Sequence, residues 1–175
     1  MEIVTAAHSD TGKVRTRNED SFICMSVQTN LVNVDAVLVV ADGMGGHAAG
    51  EVASKMTVEG IMQSLSSRGE EASKLEGNAY EVFLGKVLEE VNQDVWRAGQ
   101  ESDKRGMGTT CTLAAIRGDQ LFLAHIGDSP VAADNDLLVG GKPVFFGQLH
   151  DPASCVRSRV AENDSVLVAQ LPECP

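Results

Sequence analysis

The apolar positions along the chain fall into runs of two periods. Ile3 to His8 is short and mostly apolar, and Ser9-Asp10-Thr11-Gly12 behind it reads as a turn. From Ser21 to Gln28, Phe22, Cys24 and Ser26 alternate with Ile23, Met25 and Val27, the period of a strand. Val34 to Ala41 is nearly all apolar, as a strand buried on both faces should be, and it ends at Asp42-Gly43. The period then changes. Val58, Ile61, Met62 and Leu65 recur at helical spacing in a segment that starts at Gly50, where Glu51 favours a helix N-terminus, and stops at Arg68-Gly69. Gly69 to Gly77 is polar and loop-like. A second helix is predicted from about Asn78, with Leu84, Val87, Leu88, Val91 and Val95 on one stripe, Trp96 near the end and Gly99 as the stop.

Strand periodicity returns in Thr110 to Ile116 and Gln120 to Ile126, with Arg117-Gly118-Asp119 as the hairpin turn between them. Pro130 to Ala133, Leu137 to Val139 and Val144 to Phe146 are short strand candidates. The rest of Asp134 to Asn163 has no clear period, and Ser165 to Leu171 reads as the last strand. Strands, two helices, then strands again predict an α+β fold with helices on a face of mainly antiparallel sheet. Neither a repeat nor a linker interrupts residues 1–175, so a single domain is expected.

Composition narrows the partners. The formal net charge is −11, which opposes nucleic acid and anionic membrane surfaces. The longest apolar stretch, Ala36 to Ala41, is strand-sized and far below the roughly 18 residues of a membrane-spanning helix. Met1-Glu2-Ile3-Val4-Thr5 has no basic region before an apolar one and does not read as a signal peptide. Cys24, Cys111, Cys155 and Cys174 form no CxxC pair, so free thiols in a reducing, cytoplasmic compartment are expected; a Cys155–Cys174 pair needs the C-terminal stretch to fold back.

The candidate chemistry is carried by acids at strand ends. Glu19-Asp20 stand at the start of one predicted strand, Asp42 at the end of another, and Asp128 after Gly127 at the end of a third. Carboxylates so placed suit hard divalent cations, which take oxygen ligands and retain water. In Asp42-Gly43-Met44-Gly45-Gly46 the glycines let backbone carbonyls approach an ion, or simply make a turn. A nucleotide cradle is excluded: no Lys-Ser or Lys-Thr follows, and Ala48 stands where a dinucleotide fingerprint needs glycine. Arg15 can grip a phosphate with two parallel hydrogen bonds, or be one charge in a solvated run. His47 and His125 lack a ligand-spaced partner and read as core or surface histidines.

In their order along the chain these pieces resemble a family. Ser9-Asp10, Gly12, Val14-Arg15 and Asn18-Glu19-Asp20-Ser21-Phe22 look like the opening motif of the metal-dependent protein serine/threonine phosphatases of the type 2C class. Val39 to Ser54, with Asp42-Gly43, His47 and Glu51, looks like the second motif. Gly106 to Leu113 and Leu121 to Ser129 look like the next two. The resemblance covers roughly residues 5 to 130 and implies two antiparallel sheets flanked by helices in four layers, α-β-β-α, with a two-metal site at one end. It implies that Asp42 bridges two Mn²⁺ or Mg²⁺ ions, that Gly43 offers its carbonyl to one, and that Glu19 and Asp20 hold metal-bound waters. Arg15 would bind the substrate phosphate and Asp128 would belong to a third, looser metal site. The implied reaction is hydrolysis of phosphoserine and phosphothreonine in proteins by a metal-activated water, with a phosphorylated protein or a kinase as partner and a monomer as the working form.

The chain departs from that pattern after about residue 130, where its C-terminal part is shortened. The family's later Ser-Asp-Gly motif, which supplies another bridging carboxylate, is not found in the sequence. The final motif, Asp-Asn-x-Ser/Thr, is matched by Glu162-Asn163-Asp164-Ser165 with glutamate in place of aspartate, so Glu162, or Asp164, is the candidate replacement ligand. Pro130 stands where the family often has arginine. The alternative expectation is a pseudophosphatase that binds phosphoproteins without hydrolysing them.

Overall fold

The fold is described from a computed structural model, which covers residues 3–11, 13, 16–26, 34–45, 49–118 and 120–127, and the strand backbones at 131–133, 137–139, 145–149, 155–159 and 166–170. Eleven strands and three helices are described. They are β1 (Val4–His8), β2 (Asp20–Ser26), β3 (Ala36–Met44), α1 (Ala49–Ser67), α2 (Gly69–Ala72), α3 (Asn78–Ala98), β4 (Gly108–Thr109), β5 (Cys111–Arg117), β6 (Gln120–Ile126), β7 (Val131–Ala133), β8 (Leu137–Val139), β9 (Phe145–Leu149), β10 (Cys155–Arg159) and β11 (Val166–Gln170).

The strands form two antiparallel sheets. One runs β1-β11-β10-β7-β8; the other runs β2-β3-β5-β6-β9, with β4 added beside the end of β3. The last strand therefore lies inside its sheet, between β1 and β10, with Val4 opposite Gln170 and His8 opposite Val166. β3 shows why an almost unbroken apolar run makes a central strand. Val37, Val39 and Ala41 pack into a core shared with α1 and α3, whereas Ala36, Leu38 and Val40 pack into a second core with Ile3, Ala114, Ile116, Leu121 and Leu123. Every residue of β3 from Ala36 to Ala41 is at most 4% exposed, so both pleat faces are occupied.

The helices form where the 3.6-residue period predicted them. α3 buries Leu84, Val87, Leu88, Val91 and Val95 on one face, and Gly99 follows its last turn. α1 buries Val58, Ile61 and Leu65. Both helices lie on the β2-β3-β5-β6-β9 sheet, so among the described residues three of the four expected layers are seen: helices, sheet, sheet.

The structure refines the sequence reading at four places. β3 does not stop at Asp42; it runs on to Met44, because β4 pairs Gly43 with Thr109 and Met44 with Gly108. The polar link after α1 contains the single turn α2, too short to show a period. The third short strand is Phe145–Leu149 and begins one residue later than expected. β10 was not readable because its sequence, Cys155-Val156-Arg157-Ser158-Arg159, has no apolar alternation.

Candidate metal centre

Two strands bring the first acids together. β2 and β3 are antiparallel neighbours, and their register sets Asp20 opposite Asp42. The Gly43 N–H donates to the Glu19 carbonyl at 3.1 Å, which makes Glu19 and Gly43 the hydrogen-bonded pair. Asp20 and Asp42 are then the non-hydrogen-bonded pair, the kind in which side chains approach most closely. Both carboxylates leave the pleat on the face shared with Leu38 and Val40, between the two sheets.

The backbone of this pair is held by hydroxyls. Thr109 Oγ1 lies 2.8 Å from the Asp42 carbonyl and 2.8 Å from the Thr110 carbonyl, which share its one proton, and the Thr110 N–H donates to the Asp42 carbonyl at 2.9 Å. The Asp42 N–H reaches Thr110 Oγ1 at 3.4 Å. On the β2 side the Asp20 N–H donates to Asn18 Oδ1 at 3.0 Å, Asn18 Nδ2 donates to Ser9 Oγ at 2.6 Å, and Ser9 Oγ donates to Asp20 Oδ2 at 3.4 Å. Ser9 directly follows β1, so the opposite sheet supplies one partner of the Asp20 carboxylate.

The start of α1 closes the other side. The Glu19 carboxylate lies against Gly50, where an added Cβ would stand 3.0 Å from its Cδ and Oε2. A Cβ on Gly43 would fall on the Gly50 carbonyl and 2.6 Å from the Glu19 carbonyl oxygen. Glycine at 43 and 50 is thus a packing requirement, and it lets three backbone segments meet beside the acids. Glu19 and Asp20, adjacent in sequence, serve opposite sides of the sheet: Glu19 the helix side, Asp20 the cleft between sheets. Among the described residues no three Asp, Glu, His or Cys side chains gather as a ligand set.

Arg15, His47, Asp128, Glu162, Asp164 and Cys174 lie outside the described residues, as does the side chain of Cys155. The approach to Asp128 is described. Gly127 has φ +116, and an added Cβ would come within 2.8 Å of Thr110 Cβ. Thr110 therefore supports Asp42 on one side and packs under the turn that leads to Asp128 on the other. His125 is buried at 3% exposure, in keeping with a core role. Its Nε2 lies 2.9 Å from the Gly127 carbonyl, which can only accept, so Nε2 carries a proton, and its Nδ1 is hydrogen-bonded with Thr112 Oγ1 at 2.9 Å.

Ser54, Thr109 and Thr110 stand within the motifs read from the sequence, but their supporting contacts were not legible there. The available signal was a small hydroxyl standing inside an apolar stripe or at a strand entrance. Cys24 and Cys111 are free thiols, and burial pushes the Cys111 thiol up to about 12, which makes it a poor metal ligand or nucleophile. An apolar cavity of about 210 Å³ opens on the helix side between Met44, Trp96 and Met107; its lining lacks the carboxylates.

The two carboxylates that the register brings together, Asp20 and Asp42, are hard oxygen donors, the chemistry that suits Mg²⁺ or Mn²⁺ and not a soft or imidazole-seeking metal.

An antiparallel sandwich with helices on one sheet and paired aspartates at a strand end defines a class, and the sequence model described as Protein phosphatase 2C matches residues 8–143. The chain belongs to the protein phosphatase 2C family. It is 37% identical over 122 residues to the serine/threonine phosphatase stp of Listeria monocytogenes, a match covering 69% of this chain and 46% of that protein. It is 37% identical over 126 residues to the serine/threonine protein phosphatase PstP of Mycobacterium tuberculosis, covering 71% of this chain and 21% of PstP. The chain thus spans less than half the length of these relatives. Its fold matches the catalytic domain of PstP solved in complex with two manganese ions, with a TM-score of 0.69 at 22% identity over 98% of this chain and 99% of that one. It also matches Stp1 of Staphylococcus aureus, with a TM-score of 0.73 at 21% identity over 99% and 96% of the two chains.

Proposed function

We propose that the chain is a metal-dependent phosphatase that hydrolyses phosphoserine and phosphothreonine in proteins. The observation that carries this reading is the register of Asp20 against Asp42, with Glu19 and Gly43 bonded across the same strand pair. Membership of the protein phosphatase 2C family supports a metal-binding role for such a pair. In this reading Asp42 and the Gly43 carbonyl would hold the ions, Glu19 and Asp20 would hold waters bound to them, Glu162 or Asp164 would replace the missing ligand, and Asp128 would belong to a third, looser site. Bound Mn²⁺ or Mg²⁺ ions supply an acidified water and positive charge against the phosphoryl oxygens.

The chain's own residues do the rest. Arg15 grips two phosphate oxygens and fixes the ester's orientation. Thr109 and Thr110 hold the Asp42 backbone, so its carboxylate needs little reorganisation to bind a cation. Ser9 and Asn18 hold Asp20 in the same manner. The partner is a phosphorylated protein met by a cytoplasmic monomer. A strongly acidic protein would repel anionic substrates at long range, so binding relies on the local positive charge of the ions and Arg15.

One observation favours a second reading, phosphoprotein binding without turnover: no Ser-Asp-Gly run occurs in the 175 residues, and the Asp of the final motif is Glu162. The two readings separate on manganese-dependent phosphate release from a phosphothreonine peptide. Turnover that disappears in Asp42→Asn supports the enzyme. Peptide binding that depends on Arg15, with phosphate release no greater than in Asp42→Asn, supports the binding module.

A further inference from the structure

Helix α1 buries two hydroxyls, those of Ser54 and Thr57, on the face it turns to the sheet. Ser54 is fully buried, on the face that otherwise presents Ala49, Ala53, Thr57, Val58 and Ile61 to the sheet. Its Oγ stands 2.6 Å from the Glu19 carbonyl oxygen and 3.0 Å from Ser21 Oγ. Glu19 and Ser21 flank Asp20, so one hydroxyl touches both sides of that residue. A serine hydroxyl has a single proton to donate. The Glu19 carbonyl at 2.6 Å and the Glu51 carbonyl of the preceding turn at 3.2 Å can only accept, so the Ser54 proton goes to the shorter contact, Glu19, and Ser21 donates to Ser54.

The same carbonyl oxygen takes the Gly43 N–H at 3.1 Å. It is therefore the point at which β2, β3 and α1 meet: the strand of Glu19-Asp20, the strand of Asp42-Gly43, and the helix. One turn before Ser54, Gly50 packs against Gly43 and the Glu19 carboxylate. Without the Ser54 proton the Glu19 carbonyl keeps only the Gly43 N–H, and the Glu19–Asp20 peptide, still held by the Asp20 N–H on Asn18 Oδ1, loses its tie to the helix.

We infer that Ser54 is a positioning residue for the metal centre, setting the distance and tilt of Glu19-Asp20 relative to Asp42-Gly43 through the Glu19 carbonyl. The inference rests on the metal-dependent reading of the site, and its role is indirect: Ser54 touches backbone that carries ligands, not the ligands' oxygens. Contacts made directly to ligating groups are worth ~10–100-fold in metal affinity, and a contact one step removed should act at the lower end of that range.

Three variants test it. Ser54→Ala removes the proton, Ser54→Thr keeps the hydroxyl, and Thr57→Val removes a different buried hydroxyl of the same helix face, 4% exposed, as the control for packing. Two readouts are needed: manganese affinity by calorimetry, and amide hydrogen exchange at Gly43, which needs no metal. The inference expects Ser54→Ala to weaken manganese binding by ~10-fold and to speed exchange at Gly43. Ser54→Thr should recover both, and Thr57→Val should change neither. Unchanged exchange at Gly43 in Ser54→Ala overturns the inference. So does faster exchange with undiminished manganese affinity, which would make the hydroxyl structural only. If the unsubstituted chain takes up no manganese, the metal reading of the site fails, and the inferred role of Ser54 at a metal centre falls with it. Gly43 exchange then separates this from a misread hydrogen bond.

Discussion

At the scale of single residues the candidate site is built as much from absent side chains as from present ones. Gly43 and Gly50 let the start of α1 press against the β2–β3 pair, and neither tolerates a Cβ without displacing backbone. Gly43→Ala should therefore destabilise the fold by about 1–3 kcal/mol, the usual cost of overpacking, measured as a lower urea midpoint with unchanged slope. Thr109→Val removes a hydroxyl shared between the Asp42 and Thr110 carbonyls; the Thr110 N–H still serves the Asp42 oxygen, so the expected cost is about 1 kcal/mol. A loss much larger than this would mean that Thr109 does more than hold Asp42.

Two buried acids give the molecule an alkaline limit. Burial raises the Cys111 thiol from 9.0 to about 12, and burial raises the Tyr80 phenol from 10.0 to about 12 against the opposing pull of Arg117 over its ring. Both folded values lie above the unfolded ones. The unfolded chain therefore releases its protons first as pH rises, and folding stability falls. Unfolding free energy should be flat up to pH 9, as far as these groups decide it, and decline between pH 9 and 12. Cys111→Ala should flatten the lower part of that decline in pH-dependent urea titrations. An identical slope in the variant would show that the thiol is not buried as described.

At the scale of elements, packing decides what each segment contributes. Leu84 is fully buried where α3 lies on the β2-β3-β5-β6-β9 sheet. Leu84→Ala should cost about 2–5 kcal/mol, whereas Glu89→Ala on the exposed face of the same helix should stay within about 0.5 kcal/mol. Equal costs would contradict the assigned faces. The same faces were legible in the sequence, because Leu84, Val87, Leu88, Val91 and Val95 repeat at helical spacing over about three turns of chain. β3, β5 and β6 were legible for a related reason: a strand in the middle of a sandwich must be apolar throughout. β10 was not, since Arg157 and Arg159 alternate with nothing that marks a face. α2 was not, since four residues cannot display a period. The extension of β3 to Met44 depends on pairing with β4, more than sixty residues away, and local pattern carries no such information.

At the scale of the whole molecule, two sheets and a helix layer converge on one end of the sandwich. β1 sends Ser9 to Asp20, β2 and β3 place Asp20 against Asp42, α1 seals the Glu19–Gly43 junction, and the β3–β4–β5 corner holds Asp42 through Thr109 and Thr110. The types and order of the acids were readable from the motifs. Their support was not, because a threonine or serine becomes informative only when its partner is known. The separation of Glu19 from Asp20, one toward the helix and one toward the cleft, also needed the strand register. If the site is a metal centre, saturating manganese should raise the thermal midpoint of the unsubstituted chain by mass action and leave that of Asp42→Asn unmoved.

The most direct measurement is anomalous diffraction from a crystal of this chain grown with manganese. The account predicts a manganese peak in the cleft between the sheets, within roughly 2.0–2.2 Å of an Asp42 carboxylate oxygen and reached by Asp20 directly or through one water. A fully manganese-free cleft at saturating metal, with the Asp20 and Asp42 carboxylates held only by protein and ordinary solvent, would contradict it.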